Sequence, residues 1–333
     1  MNLEARRGVI YGFSAYLLWG AFPLYFRLLD RSGAVEILAH RVFWSLIVCT
    51  MLVSVLRRWR QVGEALRSPR RAALLAAAAV IIAVNWGVYI FAVNSGQVVE
   101  ASLGYFVNPL LTVLLGVLVL RERLRRLQWF AVGIGVVAVT VLTVDYGRLP
   151  YIALILAASF GTYGLLKKKV GVTVGALAGL TSETMLLGPL ALAALLTLEV
   201  GGSGHFTDHA PWQGLLLISA GAVTVLPLLL FSASARRVPL STLGLLQYLT
   251  PVLQLLIGVT LLGEHMPASR WIGFALVWSA LAVLTADSLR TARRRRTRDR
   301  PRPEDGPRTE PRTEPRPRNP DQDENPDPVP EPA

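Results

Sequence analysis

Two apolar stretches of this chain, about 140 residues apart, are copies of one another. Residues 102–143 read SLGYFVNPLLTVLLGVLVLRERLRRLQWFAVGIGVVAVTVLT, and residues 244–285 read GLLQYLTPVLQLLIGVTLLGEHMPASRWIGFALVWSALAVLT. Aligned without a gap, Pro109 falls on Pro251, Gly116 on Gly258, Glu122 on Glu264 and Trp129 on Trp271. Ala138, Val141, Leu142 and Thr143 then match Ala280, Val283, Leu284 and Thr285. Shared hydrophobicity alone would not also superimpose a proline, a glycine, a carboxylate and a tryptophan. The chain carries an internal duplication.

Both copies lie in apolar sequence, and 53% of all residues are hydrophobic. A helix that crosses a bilayer core of roughly 30 Å needs about 20 apolar residues. Ten runs meet that length, at approximately 8–28, 34–56, 72–94, 97–120, 127–144, 149–166, 173–198, 213–234, 239–262 and 268–288. The short connections leave no room for a soluble domain. Backbone polar groups find no water in lipid, so such runs form helices or a closed barrel, and their length excludes barrel strands. The expected fold is an all-α membrane protein of ten transmembrane helices. The repeat extends back to Trp19-Gly20 and Phe160-Gly161, giving a first unit over 7–145 and a second over 146–289. Five helices per unit is an odd number, so equivalent helices cross in opposite directions, an inverted-repeat architecture found mostly in transporters.

The net charge of +12 is distributed by loop rather than gathered into a nucleic-acid face. Arg57, Arg58, Arg60, Arg67, Arg70 and Arg71 follow the second run. Arg121, Arg123, Arg125 and Arg126 follow the fourth, Lys167, Lys168 and Lys169 the sixth, and Arg236 and Arg237 the eighth. Arg6 and Arg7 precede the first run, and an arginine cluster follows the tenth. Alternate loops hold isolated bases such as Arg31, Arg148 and Arg270. The positive-inside rule places both termini in the cytoplasm. Arg6 and Arg7 also resemble the basic end of a signal peptide, but the first run is too long for one and carries Pro23, so it reads as an uncleaved helix. Cys49, the one cysteine, excludes an intramolecular disulfide. Residues 290–333 turn rich in proline, arginine and glutamate with a tandem PRTE repeat, and read as a disordered cytoplasmic tail. Arg293 to Arg296 suit either anionic headgroups or a solvated stop-transfer flank.

Pro109 and Pro251 each lie about 12 residues into their runs, near the midplane by helical rise. Each removes a backbone hydrogen bond and is expected to kink or interrupt its helix. Such paired interruptions point to a substrate site, the alternative being packing kinks alone. A charge at the bilayer centre costs at least about 2.5 kcal/mol, so each one needs a reason. Glu36, His40 and Arg41 lie within two turns of the second run, and Glu183 lies about ten residues into the seventh. Through the repeat Glu183 sits one position from the counterpart of Arg41, so an Arg41–Glu183 pair across the pseudo-twofold axis is expected. It would be a register-fixing ion pair, or a gate, substrate or proton site.

Asn85, Asn94, Glu100, Asn108, Thr224, Gln247 and Gln254 complete the intramembrane polar set. Glu100 and Asn94, near helix ends, read as exposed, whereas Asn108 and Gln247 adjoin the midplane prolines and suit a polar path. Trp19, Tyr25, Trp44, Trp86, Tyr89, Tyr105, Tyr163 and Tyr248 could pack, or could cage a flat or cationic organic solute. Catalytic signals are poor. His205 and His209, beside Asp208, give a two-histidine spacing in a Gly-rich loop that holds no fixed cage, so no metal is assigned. Gly133-Ile134-Gly135 opens a nucleotide-like string, but inside an apolar helix with no preceding strand.

LLWGAFPLYFRLL (17–29), EILAHRVFWS (36–45), EASLGYFVNPLLTVLLGVLVLRERL (100–124) and PLSTLGLLQYLTP (239–251) resemble the RarD-type branch of the EamA family, in the drug/metabolite transporter superfamily. The resemblance covers roughly residues 7–288. It implies two EamA repeats, alternating access, and a cavity between the halves lined mainly by helices one, three, four, six, eight and nine. Trp19, His40, Arg41, Trp44, Glu100, Tyr105, Asn108, Glu183, Gln247 and Tyr248 fall on its characteristic strings. The expected activity is a secondary permease for a small organic metabolite or drug, in the plasma (inner) membrane, with no enzymatic chemistry and no cofactor. The expected partners are that solute and the bilayer; a homodimer is left open and nucleic acid is excluded. Two other readings stand beside it, a membrane-embedded lipid-handling enzyme and a non-transporting sensor whose output element is the tail.

Overall fold

The structure is a computed structural model, and it describes residues 3–121, 124–170, 174–202, 204, 206, 211–238 and 240–298. Regular structure among the described residues is entirely helical, as apolar runs that must satisfy their own backbone require. In chain order the helices are α1 (Leu3–Gly20), α2 (Phe22–Arg27), α3 (Ala34–Val55), α4 (Trp59–Leu66), α5 (Pro69–Asn94) and α6 (Val98–Leu120). There follow α7 (Arg126–Tyr146), α8 (Tyr151–Val170), α9 (Ala176–Val200), α10 (Pro211–Ala235), α11 (Leu240–Leu246), α12 (Leu249–Leu256) and α13 (Ala268–Arg298). A π-helical turn, Ile257–Leu261, continues α12. With α1 and α2 taken together, eight segments are long and apolar enough to cross a membrane. Two of the ten expected runs appear as shorter apolar helices, Tyr151–Lys167 and Leu249–Leu261.

The outward faces are apolar. Only 22% of the most apolar window of α7 is buried, at a mean hydropathy of 2.1. Trp129, Phe130, Val136, Val137 and Val144 on that helix are all more than half exposed. Water does not tolerate so broad an apolar surface, and lipid does.

The interior is organised by close helix crossings at small residues, the packing device of membrane bundles. α8 lies along α5 and α6, α10 lies along α1 and α3, and α9 packs on α3 and α5. A Cβ on Gly104 of α6 would stand 2.8 Å from the Ala153 carbonyl oxygen of α8, and one on Gly161 would stand 3.1 Å from Leu115. These two contacts clamp α6 on both sides of Pro109. The helix therefore runs unbroken through that proline, contrary to expectation if both prolines interrupted their helices. The ninth run does break, at Gln247-Tyr248, and Pro251 then sits in the first turn of α12. A first turn has no intrahelical use for the missing N–H.

Other departures are local. The first run begins earlier than expected and is split at Ala21. The basic connection after the second run contains α4, which buries Val62 and Ala65. Helix α13 continues through Arg298, so the first arginines assigned to a disordered tail are helical. Residues 299–333 lie outside the described residues.

Helices α7 and α13 run antiparallel and are tied at both ends. At one end Asp145 accepts from Arg270 Nε at 2.7 Å and from the Ser269 hydroxyl. At the other, Asp287 accepts from Arg125 at 2.9 Å. Between the ties lies the largest apolar cluster, in which Ala131, Ala138 and Leu142 meet Phe274, Val277 and Ala280. Beside the Asp145 end, the Glu264 carboxylate accepts from the backbone N–H of Val98 at 2.6 Å and of Val99 at 2.8 Å. It thereby satisfies the orphan donors at the start of α6. Replacing Glu264 with Ala should cost roughly 0.5–2 kcal/mol, the usual range for a lost helix cap. Hydrogen exchange at the Val98 and Val99 amides should accelerate while exchange in the middle of α9 stays unchanged.

Candidate functional site

Three clusters of polar residues occupy the interior, and each stabilises its charge in a different way. The first is built on Arg41, which is 3% exposed. Its guanidinium lies 4.2 Å from the Trp86 ring centre, 5.4 Å from Phe26 and 5.5 Å from Phe22. Its Nε donates to Thr224 Oγ1 at 2.8 Å. Tyr25, Tyr89 and Tyr105 stand within electrostatic range. Four of the aromatic residues expected to cage a cationic solute, Tyr25, Trp86, Tyr89 and Tyr105, thus stand around the protein's own cation, a delocalised ion that stacks well on ring faces. The Tyr89 hydroxyl is buried with no hydrogen-bond partner, whereas Tyr25 donates to the Leu216 carbonyl at 2.6 Å. Arg41 can reach Thr224 because α3 and α10 touch backbone to backbone: a Cβ on Gly221 would fall 2.4 Å from the Trp44 carbonyl carbon.

The second cluster holds Glu183, whose side chain is 2% exposed. It does not pair with Arg41. Lys167 Nζ donates to its Oε1 at 2.6 Å and the Tyr163 hydroxyl to its Oε2 at 3.1 Å. The reason is axial position. Arg41 is the eighth residue of α3 and Glu183 the eighth of α9, so each lies about 10 Å from its helix start. Those starts are at opposite ends of the bundle, and equivalent positions in oppositely directed helices meet only at the midplane. Lys167 instead approaches from the end of α8 next to the start of α9. Gly179 admits it, since a Cβ there would stand 2.7 Å from Nζ. Between this end of α8 and the facing end of α10 lies a cavity of about 290 Å³, lined by Lys167, Val170, Val174, Ala176, Phe231, Ser232 and Ala235.

The third cluster lies at the other end of α8. Glu100 is buried rather than exposed, and accepts from Arg148 Nη2 at 2.8 Å and the Ile152 N–H at 3.0 Å. Arg148 also donates to Gln97 Oε1 at 2.7 Å. Gln97 and Glu100, with Tyr146, Glu264 and Arg270, line a small cavity of about 110 Å³.

The remaining sequence-derived candidates are placed singly. Asn85 joins α5 to α8 through the Leu156 carbonyl at 3.1 Å and Ser159 Oγ at 2.9 Å. His40 stacks on Phe206 and accepts from Trp44 Nε1 at 3.3 Å, leaving its buried Nε2 without a partner. Trp19 packs on Tyr16 and Phe231. Asn108 is half-buried and accepts from Thr112 at 3.4 Å. Gln247 and Tyr248, half-buried, form the break before α12. Asn94 is half-buried and donates to the Ser32 carbonyl at 3.3 Å. His205, Asp208 and His209 lie outside the described residues, among which no cluster of metal-ligating side chains occurs.

Sequence reasoning misses Lys167 and Arg148 as site residues and places Thr224 only in the intramembrane polar set. In the sequence Lys167 reads as a topological base, although it stands four residues after Tyr163 on one helix face. If contacts decide coupling, a double-mutant cycle on thermal unfolding separates the two pairings. Lys167→Ala with Glu183→Ala should show an interaction energy of about 0.5–3 kcal/mol, and Arg41→Ala with Glu183→Ala should be additive within about 0.5 kcal/mol.

Comparison with known proteins agrees with this architecture. The sequence profile of the EamA-like transporter family matches residues 6–144 and again residues 149–286. Protein RarD of Streptomyces exfoliatus is 55% identical over 87% of this chain and 92% of its own length. An uncharacterized transporter of Pseudomonas aeruginosa is 46% identical over 87% of this chain and 96% of its own. A crystal structure with 20% sequence identity superposes with a TM-score of 0.52 over 84% of this chain and 97% of that one, a likeness of fold alone. The chain belongs to the EamA-like transporter family.

Proposed function

We propose that this chain is a secondary transporter of a small organic solute, working by alternating access through the cavity between α8 and α10. The observation that carries the reading is the difference between the two ends of α8. One end opens on a cavity of about 290 Å³ lined by Lys167, whose ion-pair partner Glu183 is buried behind it. The other, with a smaller cavity of about 110 Å³, is held together by Glu100 with Arg148, by Glu264 on the start of α6, and by Asp145 with Arg270. A channel would be continuous, whereas a carrier is closed at one end while the other is open. In this reading the polar ties at the closed end exchange for contacts at the cavity end during transport.

The repeat supports two inverted five-helix units, 7–145 and 146–289, and ten crossings. The family profile matches each half separately. The antiparallel α7 and α13 carry reciprocal aspartate–arginine ties, Asp145 with Arg270 and Asp287 with Arg125. Loop charge argues for a plasma-membrane orientation with both termini in the cytoplasm, which puts the cavity on the cytoplasmic side. Of the sequence-derived set, Trp19, Tyr163 and Glu183 adjoin this cavity through Phe231 and Lys167. We assign Arg41 with Tyr25, Tyr89 and Tyr105 to a fixed electrostatic nest farther along the same path. The reading assigns no covalent chemistry and no cofactor to the chain.

Untargeted metabolite profiling of cells and medium, with and without the gene, tests the activity. At least one small organic solute should change its distribution between cells and medium in opposite senses on deletion and overexpression. No redistribution of any solute would remove the transporter reading. Reporters fused after Arg71, Arg126, Lys169 and Arg237 should report cytoplasm, and those after Ser32 and Gly202 the outside. A reversed pattern in either half would remove the inverted repeat.

A further inference from the structure

Within that cavity one charged group faces a largely apolar wall. Lys167 lines it together with Val170, Val174, Ala176, Phe231 and Ala235, with Ser232 as the other polar side chain. Phe231 is itself braced by Trp19 and Tyr16, at ring separations of 5.9 and 6.0 Å. The volume is at the lower edge of the usual range for ligand sites. Lys167 is 30% exposed while its partner Glu183 is 2% exposed, so the ammonium spans the boundary between the cavity and the bundle interior. An ammonium has three donors, and the single carboxylate oxygen it meets leaves donors for a second anion.

We propose that the cavity binds an organic monoanion with an apolar body, its acidic group taken by Lys167 and its body by Phe231, Val170 and Val174. The proposal rests on the transporter reading only for the steps after binding. When the anion draws Lys167 away, Glu183 remains in a desolvated position with only the Tyr163 hydroxyl. A buried carboxylate without its cation takes up a proton rather than stay charged. The exchange balances: the Glu183 carboxylate, the Lys167 ammonium, one organic anion and one proton become a neutral Glu183 acid and a Lys167 ion pair with the anion. No bond other than the O–H of Glu183 forms, and net charge is unchanged. Anion binding is therefore linked to uptake of one proton, and affinity rises as pH falls.

Among the described residues no other charge reaches Glu183. The groups that reach Glu183 are Lys167 and Tyr163 of α8. From α3, Cys49 lies against Thr181 rather than Glu183, and Arg41 is occupied at Thr224 and the Trp86 face. From α4, Arg60 and Glu64 pair with each other at 2.9 Å, and from α5, Arg71 donates to the Glu64 carbonyl at 2.8 Å. The described part of α10 contributes no ionisable side chain.

The test uses the full chain in phosphatidylcholine nanodiscs, titrated calorimetrically with 4-phenylbutyrate, 4-phenylbutylamine and 4-phenylbutanol. Two buffers of different ionisation enthalpy count the protons. The acid should bind saturably, at least about tenfold tighter than the amine or the alcohol, the loss of one charge-assisted contact. About one proton should be taken up per acid bound. Glu183→Gln should bind the acid more tightly and take up no proton. Lys167→Gln combined with Glu183→Gln, which keeps a neutral polar contact in place, should weaken acid binding at least about tenfold. Equal binding of all three probes, no proton uptake by the native protein, or native-like acid binding by the double variant would overturn the proposal.

A second arm replaces part of the phosphatidylcholine with phosphatidylglycerol. Competition with the acid would identify the natural anion as a lipid headgroup, and undiminished binding would identify a soluble solute. Solute flux in proteoliposomes is measured separately. Binding as described with no flux of any solute would leave the anion site standing and remove the transporter reading alone.

Discussion

A charged group cannot be left alone in a low-dielectric interior, and that constraint arranges everything polar in this molecule. It admits only a few solutions, and the chain uses three. Arg41, delocalised and weakly hydrated, is held by ring faces and a hydroxyl. Glu183 is held by an ammonium drawn inward from the membrane boundary. Glu100 is held by an arginine and a backbone N–H at the opposite end. In each case the stabilising group comes from outside the helix that carries the charge, so the charges also tie neighbouring helices together.

This explains why the fold was more legible than the site. Hydrophobic length is a one-dimensional signal, and the helices follow it to within a few residues over most of the chain. The breaks were less legible. Pro109 and Pro251 are equivalent in sequence, yet one is clamped inside a continuous helix by Gly104 and Gly161 and the other opens α12. Proline states which hydrogen bond is missing, not whether neighbouring packing compensates for it.

The polar residues are legible in the sequence one by one, whereas the partners of Arg41 and Glu183 are not. Arg41 and Glu183 both need partners and both have them, but symmetry equivalence is not proximity. In the oppositely directed α3 and α9, residues equally far from their helix starts lie apart unless both are central. The true partner, Lys167, was hidden by its usefulness as a topology marker. A long, flexible side chain near a helix end can extend toward water or toward the interior, and only a buried carboxylate within reach selects the second. The ties of Asp145 and Asp287 lay just past the compared repeat windows, at matching positions in the two halves.

Gly221 carries a consequence of another kind. It lets α3 and α10 touch through main-chain atoms one turn from both Arg41 and Thr224, with no side chain between them. A single added methyl there has no rotamer in which to relax and must wedge the two helices apart. The 2.8 Å bond between Arg41 and Thr224 spans that same crossing, so the wedge would be felt as a loosened guanidinium. Sequence drift at this position is closed off by geometry, and the residue that holds the nest to its dimensions contributes no side chain to it.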